Sequence, residues 1–170
     1  MRARHLILSA LFCALIAVGA MLSIPIPGGS VTLQLFFMLL AAFLLPPRTA
    51  FFSLLCYITL GLCGAPIFAG FTGGLSAAVS PTFGFLLGML FAAPLISALY
   101  RCPKDKRHAA LLASLAGLAV VYLCGVLYGS LILPGSWRAL LIYLPIDLLK
   151  LIAAASLAKP LQKRLAGFLK

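Results

Sequence analysis

Long apolar runs follow one another along this chain almost without a polar break. Segments 6–24, 32–45, 49–62, 82–99, 109–133 and 137–158 are each predicted as a helix, separated by prolines, paired glycines or basic residues. A hydrocarbon core about 30 Å thick needs about 20 apolar residues per crossing helix. Six such helices take up most of a chain of 170 residues. Only 9% of the residues are charged and 64% are hydrophobic, whereas a soluble domain carries about 25% charge. So little polar surface cannot cover so large an apolar interior in water, and disorder needs few apolar residues. The expectation is an all-α integral membrane protein. It forms a single transmembrane domain over 1–170, a bundle of six helices with a loop-capped, outward-facing pocket. The first run is read as an uncleaved span, because it continues to Ile24 beyond the small residues that resemble a cleavage site.

The basic residues then act as an address. There are 13 Lys and Arg against 2 acids. With six spans and a cytoplasmic N-terminus, the inner side holds Arg2, Arg4, Arg48, Arg101, Lys104, Lys106, Arg107, Lys159, Lys163, Arg164 and Lys170. The outer loops hold Arg138 alone, and Lys150 lies inside the sixth run. This bias follows the positive-inside rule and predicts a multi-pass protein of the cell membrane with both termini cytoplasmic. It also removes the reason to expect nucleic acid, since no basic stripe is interleaved with aromatics.

One outer segment differs from the rest. Residues 61–81 read GLCGAPIFAGFTGGLSAAVSP: uncharged, too apolar for a solvated loop and too rich in glycine for a good helix. Irregular backbone at membrane depth survives only when buried in protein or lining a cavity. The segment is expected to fold over or into the bundle. The break at 25–31 and that at 134–136 are expected as loops on the same side.

Chemistry has few places to reside. Asp147 and Lys150 are the charged residues well inside an apolar span, and each costs about 2.5–3.5 kcal/mol at a helix centre. At i, i+3 they share a helix face and can pair, either as a neutralised packing element or as a polar binding site. Binding is the preferred reading. Pro145 just before them removes a backbone hydrogen bond. Gln34 is a second intramembrane polar group. Phe68, Phe71, Phe83, Phe85 and Tyr143 gather toward the outer side as candidate walls. The cysteines Cys13, Cys56, Cys63, Cys102 and Cys124 contain no C-x-x-C and read as apolar fillers. His5 and His108 sit in basic segments, so no metal site is expected. No nucleotide-binding P-loop, zinc-protease motif or serine elbow occurs. An enzyme is not expected, nor any cofactor. Small-x-x-x-small pairs occur at Ala10/Ala14, Gly84/Gly88 and Gly125/Gly129 and permit close helix approach. Spacing alone does not say which of them faces another subunit.

Several motifs occur together in order: Pro25-Ile-Pro27, Val31-Thr-Leu-Gln34, Tyr57 through Gly70 (YITLGLCGAPIFAG), Ser80-Pro-Thr-Phe-Gly-Phe85 and Asp147-x-x-Lys150. They resemble the BioY family over residues 8–158. These are the biotin-binding membrane subunits (S components) of energy-coupling-factor (ECF) transporters. The resemblance implies high-affinity biotin uptake with an ECF transmembrane scaffold subunit and ABC-type ATPases. It implies a biotin pocket near the outer surface, with Asp147 and Lys150 as contacts. Tyr143, Phe68, Phe71, Thr72, Phe85 and Gln34 complete the expected substrate-binding set. It further implies that Ala10 and Ala14 dock on the scaffold. Lys150 can meet either the ureido ring or the valerate carboxylate of biotin. The sequence departs from the family pattern at Phe83 and Phe85, where Gly and Tyr are usual, and at Gly70-Phe71-Thr72, where an Asn is often found. The alternatives are a solitary vitamin facilitator without ATPase partners, an S component for another small vitamin, or an assembly subunit with no ligand.

Overall fold

The computed structural model describes residues 3–26, 29–102, 106–134 and 142–169. Among them are six α-helices and one hairpin. The order is α1 (Ala3–Met21), β1 (Ser23–Ile26), β2 (Gly29–Thr32), α2 (Gln34–Leu44), α3 (Pro47–Leu62), α4 (Phe83–Arg101), α5 (Lys106–Ile132) and α6 (Leu144–Leu169). Two short 3-10 turns, Ala69–Phe71 and Leu75–Val79, lie between α3 and α4. The expected start of the sixth helix at residue 137 and the loop at 134–136 fall largely outside the described residues.

The helices are not equivalent. Ala3–Met21, Phe83–Arg101 and His108–Ile132 are long and apolar enough to cross a membrane. At 1.5 Å per residue, the 11-residue α2 extends about 16 Å, well short of the hydrocarbon thickness. It compensates by being buried on nearly every face: Met38, Ala41, Ala42 and Phe43 are fully enclosed. A helix apolar all round belongs in the middle of a bundle, and α2 packs against α1, α3, α4 and α6. The expected range 32–45 holds at its end but is too long at its start, where β2 takes Thr32.

Side chains from other helices hold the far end of α2. A helix terminus leaves carbonyls without partners. Here Gln162 Nε2 donates to the Phe43 carbonyl at 2.8 Å and Ser97 Oγ to that of Leu45 at 2.6 Å. Arg101 Nη2 donates to that of Leu44 at 3.4 Å. Tyr100 Oη donates to Gln162 Oε1 at 3.1 Å and its ring stands edge-on to Phe43. These bonds explain a departure at the C-terminus. The sequence predicts a sixth helix that stops at 158, before Lys159-Pro160. It runs on to Leu169, because contacts made by Gln162 beyond the proline fix the continuation that Pro160 alone would weaken.

The α4–α5 interface is the tightest helix pair. A Cβ at Gly84 would lie 2.7 Å from the Cys124 carbonyl oxygen, and one at Gly88 2.7 Å from the Val121 Cα. Gly125 faces the Phe85 ring in the same way. These small residues serve packing within the chain. Ala10 and Ala14 differ, since both are exposed on α1.

At the other end, the expected loop at 25–31 contains an antiparallel hairpin, with Ile24 opposite Val31 and Pro25 opposite Ser30. Pro25 is tolerated because a two-stranded ribbon consists of edges. Residues 61–81 fold back on α3. Gly74 N donates to the Gly61 carbonyl at 2.7 Å, and Phe68 N to that of Thr72 at 3.0 Å. Gly61 leaves the space that the Phe68 ring fills. Tyr128 Oη on α5 donates to the Ala78 carbonyl. Gly70 N donates to Ser23 Oγ at 3.3 Å, joining this segment to the hairpin.

Candidate binding site

Beneath the hairpin and the glycine-rich segment lies a cavity of about 440 Å³. Every part of the fold at that end contributes. β2 supplies Ser30 and Thr32, α2 supplies Gln34, α3 supplies Tyr57 and α4 supplies Phe85 and Met89. The folded segment adds Phe68, Thr72, Ser76 and Ser80. Tyr143 sits in the turn entering α6, and its carbonyl accepts from Asp147 N at 3.0 Å, so α6 begins by presenting Tyr143, Asp147 and Lys150 to the cavity.

The charged pair forms as its spacing predicts. Lys150 Nζ meets Asp147 Oδ1 at 2.6 Å, with both side chains about nine-tenths buried. The other carboxylate oxygen, Oδ2, accepts from Tyr122 Oη on α5 at 2.9 Å. An ionised carboxylate has about four lone-pair directions, so the two bonds leave acceptor capacity. The ammonium likewise keeps two of its three protons. The pair therefore presents a donor and an acceptor side by side, with no net charge.

Two further polar residues, Gln34 and Tyr143, line this cavity, and Gln34 Nε2 and Tyr143 Oη are buried without a hydrogen-bond partner among the described residues. Leaving a buried polar group unmade costs about 1–3 kcal/mol. The walls between these groups are aromatic and aliphatic. Phe68 stands edge-on to Tyr57 with centroids 5.4 Å apart, and Tyr57 Oη donates to the Ile67 carbonyl at 3.1 Å, which fixes both rings.

Of the residues expected in the site, Asp147, Lys150, Tyr143, Phe68, Thr72, Phe85 and Gln34 line this one cavity. Phe71 does not. Its φ is +58° and it follows Gly70 at φ +70°, and this left-handed pair of residues leaves Phe71 65% exposed. Thr72, one residue on, returns to the cavity. Nothing in the sequence singles out Met89, Tyr122 or the hydroxyls of Ser30, Ser76 and Ser80 as site residues. Tyr57 belongs to the glycine-rich motif that carries the resemblance. Tyr122 is not distinguished in the sequence from Tyr128, the second tyrosine of α5.

Known proteins resemble this chain in sequence and in fold. The BioY family model matches residues 1–167. The Biotin transporter BioY of Thermotoga maritima is 38% identical over 165 residues, covering 94% of this chain and 96% of its own. A probable biotin transporter BioY from Pyrococcus horikoshii is 36% identical, covering 95% and 98%. A crystal structure of the S-component for biotin from an ECF-type ABC transporter superposes with a TM-score of 0.84 at 25% identity, covering 95% of this chain and 92% of that one. With an all-α membrane fold shared across nearly its whole length and a family match over all but its last three residues, this chain belongs to the BioY family.

Proposed function

We propose that this protein is the biotin-binding membrane subunit of an ECF-type uptake system. The observation that carries the reading is the cavity lining, in which the buried Asp147–Lys150 pair shares one cavity with Gln34 and Tyr143. Biotin's ureido ring brings two N–H donors and one carbonyl acceptor. The N–H groups suit the free lone pairs of Asp147, and the carbonyl suits the Lys150 ammonium. A carboxylate placed against Lys150 would instead face Asp147 at close range, a like-charge contact that a neutral ureido group avoids. The sulfur-containing bicycle packs on Phe68, Phe85 and Met89.

The cavity opens toward the outside of the cell membrane in this reading, and both termini are cytoplasmic, which the distribution of Lys and Arg supports. The protein is not an enzyme and uses no cofactor; biotin is the transported ligand. Energy for uptake comes from a scaffold subunit and ABC-type ATPases. Ala10 and Ala14, exposed on α1, form the docking stripe. Replacing Ala10 by Trp is expected to leave biotin affinity within about twofold and to abolish uptake in cells that supply the partner subunits. Transport assays beside binding assays check this, and loss of binding would make the pair ordinary packing.

The reading itself is tested by thermal unfolding in detergent. A ligand bound only by the native state, at 100 times its Kd, stabilises by about 2.7 kcal/mol. For a chain of this size, that is a rise in Tm of about 5–10 °C. Biotin should give this rise, and other vitamins should not. An unchanged Tm with biotin would contradict the proposal.

A further inference from the structure

We propose that Tyr122 is the positioning residue of the binding site, holding the Asp147 carboxylate in the orientation that receives the ligand's N–H groups. This role rests on the reading of the cavity as a biotin site.

Tyr122 does not line the cavity; it acts from behind it. It lies on α5, is 8% exposed, and donates its phenol proton to Asp147 Oδ2 across the α5–α6 boundary. Lys150, one turn along α6, holds Oδ1. The lysine alone would not fix the carboxylate plane, because its stem is long and flexible and its ammonium rotates. A second bond from a different helix removes that freedom. The phenol is itself restrained, since its ring is perpendicular to Phe85 (89°) with centroids 5.3 Å apart. Phe85 in turn lies against Gly125, where a Cβ would come within 2.7 Å of its ring. Gly125 thus admits Phe85, Phe85 braces Tyr122, and Tyr122 sets Asp147. Phe85 also lines the cavity, so the wall that packs the ligand and the brace that orients its acceptor are one side chain.

Preorganisation of this kind lowers the ordering cost of binding. A carboxylate free to turn would meet the ligand in several orientations and satisfy its own Oδ2 elsewhere. One held by two donors keeps its remaining lone pairs aimed at the cavity.

Tyr122→Phe tests the role, because the ring and its packing on Phe85 survive and only the hydroxyl is lost. Purified protein is compared with wild type by biotin titration and by infrared spectroscopy with carbon-13-labelled aspartate. The sequence holds two acids, Asp105 and Asp147, so Asp147→Asn assigns the band. The expected result is a biotin affinity lower by about 10-fold, the scale of one hydrogen bond to a charged group. A shifted Asp147 carboxylate band in the ligand-free variant should accompany it. An unshifted band overturns the contact. A shifted band with unchanged affinity overturns its role in binding. Absence of biotin binding by the wild type contradicts the biotin reading instead, and Tyr122 is then judged by the band alone.

Discussion

Asp147→Asn is expected to weaken biotin binding by more than about tenfold. The substitution keeps the size and shape of the side chain and removes its charge. Lys150, 2.6 Å away and nine-tenths buried, is left as an uncompensated ammonium. Truncating one member of a buried, hydrogen-bonded charge pair costs about 2–5 kcal/mol, much of it the penalty on the charge that remains. The amide also replaces an acceptor oxygen with a donor, and an N–H facing the ureido N–H groups repels them. Two losses therefore act together, one on the empty site and one on the ligand. Binding measured below the variant's unfolding temperature separates them, since the first also lowers Tm and the second does not. Affinity within about threefold of wild type would remove Asp147 from the site.

The second large effect is on the fold. Gly88→Leu should lower Tm by about 2–12 °C, or yield no folded protein. The added Cβ would sit 2.7 Å from the Val121 Cα and 2.9 Å from the Val121 carbonyl oxygen. Backbone cannot step aside as a flexible side chain can, so α4 and α5 must separate along their length. Overpacking costs about 1–3 kcal/mol even where neighbours adjust, and about 2–4 °C accompanies each kcal/mol at this size. The same change at exposed Ala14 should leave Tm within about 1 °C. Equal losses at both positions would mean that the two small-residue stripes do the same job.

That contrast shows what periodicity carries and what it omits. Ala10/Ala14 and Gly84/Gly88 have the same spacing, and nothing in the chain distinguishes a stripe turned outward from one turned toward α5. The distinction is tertiary. The same limit explains α6, which continues past Pro160 because Gln162 reaches Phe43, 119 residues earlier in the chain. Local propensity stops the helix there; a remote carbonyl keeps it going. Thr32 falls in an apolar run that reads as helix, yet it lies in β2, since a hairpin needs only four residues per strand and leaves little pattern to read.

The centre of the site is legible for a different reason. Charge inside an apolar span is expensive, so Asp147 and Lys150 stand out in any reading of the sequence, and i, i+3 geometry brings them together without knowledge of the other helices. Tyr122 is not legible. A tyrosine in an apolar helix looks like core, and its partner lies 25 residues away on another helix. Phe71 misleads in the opposite direction. It sits in sequence among residues that line the cavity, and a left-handed turn of two residues takes it out.

The central claim is that the Asp147–Lys150 cavity binds biotin. Calorimetric titration of the purified, detergent-solubilised protein with biotin, alone and without partner subunits, tests it most directly. The predicted result is saturable binding at one biotin per chain, lost or weakened more than about tenfold in Asp147→Asn. No saturable heat with wild type, or equal affinity in the two proteins, would contradict it.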